Sequence, residues 1–94
     1  MEPIDDQSRP ALAAGVRLQT NATTGESVLL YPEGLMNLNP TAFEVVSRCD
    51  GKLSVAEIVA ALAAEYDADA DTLRGDVVES LTELRARKLV LLRK

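Results

Sequence analysis

The side chains that could do chemistry in this 94-residue chain are few and scattered along it. Cys49 is the single cysteine, and histidine, the commonest general base, is absent. A thiol becomes a nucleophile beside a base or a positive site, whereas Cys49 falls on the apolar stripe of a predicted helix. We interpret Cys49 as a small buried residue, and since no nucleophile–base pair can be assembled, the sequence predicts a protein that is not an enzyme.

Three carboxylates, Asp67, Asp69 and Asp71, alternate with alanine and could in principle bind a cation. Calcium loops of the EF-hand type need a glycine and a terminal glutamate at fixed places, and this segment has neither. We therefore expect a solvated connector in which an aspartate caps the following helix. The chain is predicted to hold no metal and no cofactor.

Charge and composition exclude further classes. The net charge of −5 opposes binding to nucleic-acid phosphates, which requires an excess of Lys and Arg. A lone cysteine gives no disulfide framework, and no apolar run approaches the length of a membrane span. The sequence predicts a soluble, cytoplasmic protein that binds neither nucleic acid nor membrane.

The elements that would position these residues follow from apolar periodicity and turn chemistry. Residues 1–14 show no sustained period and predict a flexible tail or linker, and residues 15–94 predict a single domain. Strands are expected over residues 16–20, 27–31 and 35–38, and helices over about 40–48, 55–66 and 72–87, before a short extended segment at 89–92. This order predicts an α+β fold with a winged helix–turn–helix-like layout, in which a short antiparallel sheet of three N-terminal strands packs on three helices.

A DNA-binding regulator is the first alternative that this layout suggests, with the third helix in the major groove. The exposed positions of that helix include Asp71, Arg74, Asp76, Glu79 and Glu83, and their excess negative charge would repel phosphates. A basic cluster follows at Arg85, Arg87, Lys88, Arg93 and Lys94. It could complement the helix C-terminus and be solvated, or it could form a patch for an acidic partner, and both interpretations stay open.

The third strand is the feature most suggestive of function. Leu35, Met36, Asn37 and Leu38 carry no charge, although exposed sheet edges usually do, and they follow a Pro-Glu-Gly break. A peptide could add to this edge as a further strand and place its side chains beside the third helix. Two alternatives remain: residues 89–92 cover the edge, or a second copy pairs with it in a dimerisation module. A monomer is favoured and a dimer is possible.

Several segments in a fixed order resemble the PqqD family of pyrroloquinoline quinone (PQQ) biosynthesis. They are VRLQT, VLLYPEG, LNPTAFEVV followed by CDG, SVAEIVAAL and LTELRARKLV, and together they extend over about residues 16–91. The resemblance implies a peptide chaperone of the RiPP recognition element type. Such a protein binds the ribosomally made precursor PqqA as an extra strand and presents it to the radical SAM enzyme PqqE.

Carried over by position, the resemblance implies that the peptide pairs with Leu35, Met36, Asn37 and Leu38. It also implies contacts with the third helix around Val77, Val78, Leu81 and Arg85, although the three apolar residues could equally be core. The chain departs from the family where the third helix ends, because Arg87 and Lys88 occupy the place of a usual glycine. Some relatives are fused to another pathway protein, so the first 14 residues could be a trimmed linker.

Overall fold

A computed structural model describes residues 4–93 of the chain. Five strands and three helices occur in this part, in the order β1 (Arg9–Leu12), β2 (Arg17–Thr20), β3 (Ser27–Tyr31), β4 (Gly34–Leu38), α1 (Pro40–Val46), α2 (Val55–Tyr66), α3 (Ala70–Ala86) and β5 (Val90–Arg93). Strands β2, β3 and β4 form one antiparallel sheet with β3 in the middle, and β1 pairs with β5 in a second. The prediction of an α+β fold with three helices is confirmed, whereas the five strands exceed the predicted three.

The core lies between the helices and the inward faces of both sheets. Leu29 of β3 is fully buried, and the helices contribute Val45, Ile58 and Leu81. Other buried apolar residues are Val46, Cys49, Val55, Val59, Leu62, Val77, Leu84, Leu89 and Val90. Aliphatic side chains thus fill the interior, as the low aromatic content of the sequence requires. No helix in residues 4–93 is long and apolar enough to cross a membrane.

Local capping sets the starts of the helices. The Asn39 side chain accepts a hydrogen bond from the Ala42 amide at 2.7 Å, with Pro40 at the first helical position. At α2, the Ser54 hydroxyl accepts from the Glu57 amide, and the Glu57 carboxylate accepts from the Ser54 amide at 2.9 Å. That bond from the Ser54 main chain lowers the pKa of Glu57. Helices α1 and α2 therefore begin at the capping residues that the sequence predicted.

The segment predicted as a flexible tail is where the structure differs most from expectation. Residues 9–12 form β1, and Ser8 and Pro10 are almost completely buried. The Ser8 carbonyl accepts from the Val55 amide at 2.8 Å, and the Asp6 carbonyl accepts from the Ala56 amide at 3.2 Å. Two otherwise unpaired donors at the start of α2 are thus satisfied by the N-terminal segment. The long-range pairing with β5 leaves no periodic signal in this short stretch, and residues 1–3 lie outside the described part.

The end of α3 explains the departure noted at Arg87 and Lys88. The helix ends at Ala86, and Lys88 adopts a left-handed conformation with φ of 62°. The chain turns there so that the Leu89 amide can donate to the Leu84 carbonyl at 2.9 Å before β5 begins. Glycine is the usual residue in this conformation because it has no Cβ to clash. Lys88 therefore stands at a position whose backbone favours glycine.

Replacing Lys88 with glycine is expected to stabilise the protein. Relief of the left-handed strain, about 1 kcal/mol, outweighs the extra entropy that glycine brings to the unfolded chain. Urea unfolding should show a free energy of unfolding higher by about 0.5 kcal/mol. A lower value in the Lys88→Gly variant would show that the turn imposes no strain on lysine.

Removing the N-terminal segment is expected to destabilise the whole domain. A chain beginning at Ala13 would expose the inner face of β5 and leave two amides of α2 unpaired, at a combined cost of several kcal/mol. Chemical denaturation with a far-UV circular dichroism readout measures this loss. An unchanged denaturation midpoint in the shortened chain would show that the N-terminal segment contributes nothing to stability.

Cys49 is expected to be chemically inert in the folded protein. Burial, together with the negative charge of Asp50, raises the pKa of its thiol to about 12, and the thiol donates to the Val45 carbonyl. The thiolate, which is the reactive form, is therefore scarce at neutral pH. Alkylation by iodoacetamide at pH 7.5 should proceed only as fast as the protein unfolds. Labelling at the rate of a free thiol, without denaturant, would contradict this.

Candidate peptide-binding site

Strand β4 is an outer strand of the three-stranded sheet. It pairs with β3 on one side, from Gly34 opposite Tyr31 to Leu38 opposite Ser27. No strand within residues 4–93 pairs with its other side. The alternative that residues 89–92 cover this edge is wrong, because β5 lies in the other sheet against β1.

The register determines which main-chain groups of β4 face outward. The Asn21 amide donates to the Glu26 carbonyl at 2.7 Å, which makes these two residues a hydrogen-bonded pair at the end of the β2–β3 hairpin. Because hydrogen-bonded and non-hydrogen-bonded pairs alternate, Val28 and Leu30 direct their main-chain groups toward β2, and Leu29 directs its groups toward Met36 of β4.

The same alternation leaves the N–H and C=O groups of Leu35 and Asn37 pointing away from β3. No hydrogen bond joins these outward groups to other residues in the described part of the chain. They have the spacing that a guest strand needs, with one residue between them. The arrangement can therefore bind an extended peptide through its backbone.

The side chains of β4 divide between two faces. Met36 and Leu38 lie opposite Leu29 and Ser27 and pack partly on the core, whereas Leu35 projects outward and is 56% exposed. Asn37 is also exposed on the outer face. All four residues predicted from the sequence thus lie along one edge strand. Leu35 provides the exposed apolar contact on it.

The four predicted residues of α3 are placed differently. Val77 and Leu81 are fully buried, which leaves no surface on either side chain for a peptide to contact. Val78 and Arg85 are half-buried, about 100° around the helix from Val77, on the flank where Arg74 binds Asp6. The opposite flank of α3 is the one that approaches the end of β4.

Two depressions lie at the carboxyl end of β4. One, of about 370 Å³, is mainly apolar; Leu38, Pro40 and Phe43 border it together with residues of the β2–β3 hairpin, namely Thr20, Gly25, Glu26 and Ser27. The other, of about 250 Å³, lies between the start of α1 and the opposite flank of α3, and is lined by Asn39, Thr41, Asp76, Glu79, Ser80 and Glu83. The sequence analysis used Asp76, Glu79 and Glu83 as evidence against DNA binding but did not place them near the end of β4. Their helical spacing of three and four was the available signal.

The acidic flank of α3 makes the second depression negatively charged. Asp76, Glu79 and Glu83 place carboxylates along one wall of the second depression, and Arg87 offsets Glu83 through an ion pair of 3.4 Å. A guest that enters beside β4 therefore meets a wall with excess negative charge. Nucleic acid is disfavoured here for the same reason.

The groups considered for catalysis or metal binding are engaged elsewhere. Asp67 ends α2 in a left-handed conformation, and the Asp69 carboxylate caps α3 by accepting from the Asp71 amide. Within residues 4–93, no group of three potential ligands is arranged to hold a metal ion. Asp69 thus caps α3, as the sequence predicted for one aspartate of this connector.

Comparison with known proteins identifies the family of this chain. Residues 26–90 match the family described as Coenzyme PQQ synthesis protein D (PqqD). A protein named PqqA binding protein, from Xanthomonas oryzae pv. oryzae (strain KACC10331 / KXO85), is 45% identical over 92 residues, which span 98% of this chain and 100% of that relative.

Two solved structures are similar to this fold. The NMR structure of the PqqD truncation of Methylobacterium extorquens PqqCD, described as a stand-alone RiPP recognition element, has a TM-score of 0.82 at 30% identity and covers 94% of each chain. TbiB1 in complex with the TbiA(beta) leader peptide has a TM-score of 0.72 at 26% identity, covering 85% of this chain and 93% of that one. On the family match and the identity to its relatives, the chain belongs to the PqqD family.

Proposed function

We propose that this protein is a non-catalytic chaperone that binds the PqqA precursor peptide as a further strand on β4 and presents it to the radical SAM enzyme PqqE. The observation that carries the proposal is the outward row of main-chain groups on Leu35 and Asn37, which lack partners among the described residues. The relative named PqqA binding protein and the leader-peptide complex of TbiB1 support the same kind of ligand.

Backbone pairing alone would give modest affinity. Two outward residues offer four hydrogen-bonding groups, each contributing about 1 kcal/mol net, and ordering a flexible peptide consumes a similar amount. Useful affinity therefore requires side-chain contacts. In this proposal Leu35 and the apolar depression at Leu38 and Phe43 supply them, while the acidic flank of α3 selects against acidic peptide segments.

Of the α3 residues first predicted, we retain no direct contact for Val77 and Leu81 and assign them to support of the helix from within. Val78 and Arg85 remain candidates for a peptide that wraps past the helix. Presentation to PqqE follows from tethering, because a bound peptide is held at high local concentration beside any enzyme that binds the same chaperone.

The experiment compares proline substitutions on two strands of the same sheet. Asn37→Pro removes an outward N–H of β4, and the fold should survive because proline is tolerated where the N–H faces solvent. PqqA affinity, measured by isothermal titration calorimetry, should fall about tenfold or more. The loss of one hydrogen-bond donor and the steric clash of the proline ring with the guest strand together cost more than about 1.4 kcal/mol of binding free energy. Proline at Met36 is unsuitable, because the Met36 amide faces β3 and its loss would break the sheet itself.

Leu18→Pro is the matched control. By the same alternation the Leu18 amide faces outward, but on β2, at the opposite edge of the sheet, and Leu18 lines neither depression. Peptide affinity should be unchanged in this variant. Equal losses in both variants, or none in a folded Asn37→Pro protein, would contradict strand addition on β4. Dilution-dependent mass measurements with and without peptide separate chaperoning from self-pairing through the same edge.

A further inference from the structure

Two arginines lie opposite each other on the second sheet, away from the proposed peptide edge. In the antiparallel pairing of β1 with β5, Arg9 faces Arg93 directly, and both residues are exposed. Residues at opposed positions project from the same face, so the two positive charges are held side by side. Like charges in this relation destabilise a sheet. The stability of the fold therefore does not explain why two arginines occupy these opposed positions.

The carboxylates near this face are committed to other bonds. Asp50 accepts from the amides of Lys52 and Leu53 at 2.8 and 3.1 Å, and Glu57 is held in the capping box of α2. Neither Arg9 nor Arg93 forms an ion pair with any residue from 4 to 93. Arg87, which the sequence grouped with Arg93 in one basic cluster, pairs instead with Glu83. Glu57 attracts Arg9 electrostatically, but no carboxylate within residues 4–93 lies within ion-pair distance of Arg9 or Arg93, so both guanidinium groups are open to a partner as far as these residues are concerned.

The surface around the two arginines is partly apolar. Leu91 lies opposite Ala11 on the same face, and 51% of its surface is exposed. Ala11 and Gly51 form the floor beside Arg93, since a Cβ placed on Gly51 would lie 3.4 Å from the Ala11 Cβ and 3.7 Å from an Arg93 guanidinium nitrogen. An exposed leucine flanked by two arginines has the composition of a protein–protein contact rather than a small-molecule pocket.

We propose that this basic face, formed by Arg9, Ala11, Gly51, Leu91 and Arg93, is a second docking surface for a protein partner that presents carboxylates around an apolar contact. The inference rests on the proposed function, because the partner tested is the enzyme that receives the peptide. Charge complementarity specifies the partner's sign, and the Arg9–Arg93 pair, which forms no ion pair within residues 4–93, is the feature that such a partner would neutralise. The face and the β4 edge belong to different sheets, so both can be occupied at once.

A second copy of this chain is the competing occupant, because its α3 flank is acidic. Contact between the basic face of one copy and the acidic flank of another closes into a dimer only when it is made twice about a two-fold axis, and otherwise it leads to rings or open filaments. Each copy also carries a net charge of −5, which opposes association. The observations therefore favour a different protein.

The Arg93→Glu substitution distinguishes a loss of partner binding from a loss of stability, because it is expected to weaken PqqE binding without lowering the stability of the fold. Glutamate opposite Arg9 replaces a repulsion with an attraction, so the urea midpoint should be unchanged or higher. Affinity of the full chain, loaded with PqqA, for PqqE should fall about tenfold by biolayer interferometry, and its salt dependence should weaken. Leu91→Ser should weaken PqqE binding about threefold. PqqA affinity should stay unchanged in both variants.

Arg17→Glu, an exposed reversal on β2, is the matched control and should alter neither affinity. A change of less than twofold in PqqE affinity for Arg93→Glu would overturn the proposed surface while leaving peptide binding intact. Failure of the unaltered, PqqA-loaded chain to bind PqqE would overturn both this surface and the presentation step. Loss of PqqA binding in Arg93→Glu, with PqqE binding retained, would place PqqA on the basic face instead of β4 and overturn the proposal. Self-association that disappears in Arg93→Glu would assign the face to a second copy and overturn the proposal.

Discussion

The pairing of β1 with β5 is the constraint on which the rest of the molecule depends. Strand β5 is the one late segment with the composition to close the free edge of β4, and its engagement with the N-terminal strand keeps it in the other sheet. Its register is firmly set, because Val90 is buried and a slip of one residue would turn that side chain to solvent. The segment before β2 therefore decides which edge of the protein stays open.

A free edge is a hazard as well as a binding site, since unpaired strands template aggregation. Here β4 has five residues, and the wall beside its carboxyl end is acidic. Short length limits the pairing that a second copy could make, and the net charge of −5 opposes approach between copies. Two of the ten basic residues, Arg9 and Arg93, lie opposite each other on the other sheet. The fold thus keeps the free β4 edge and this arginine pair in separate sheets.

Much of the fold could be predicted from the sequence because the signals are local. Asn39-Pro40 and the Ser54–Glu57 pair are complete capping motifs within four residues, and the helices begin where these motifs place them. The hairpins follow from alternating strands around Gly25 and the Pro32-Glu33 turn. Strand β1 could not be predicted in the same way, because its partner lies about 80 residues away and Pro10 reads as a breaker.

The site was predictable in part for the same reason. The lack of charge in Leu35, Met36, Asn37 and Leu38 marks an unusual edge, but which amides face outward depends on the register, and sequence alone does not fix it. On α3, the family resemblance implied peptide contacts for Val77 and Leu81 and left open that they are core, and both are buried. The flank that borders the end of β4 is instead the polar one, at Asp76, Ser80 and Glu83.

Site-resolved hydrogen exchange by NMR, with and without saturating PqqA, tests the central claim most directly. In the free protein the amides of Leu35 and Asn37 should exchange as fast as those of an exposed loop, while Met36 and Leu38, bonded to β3, exchange slowly. Bound peptide should slow Leu35 and Asn37 selectively. Protection of these two amides before peptide is added, or none after saturation, would contradict an edge that a guest strand completes.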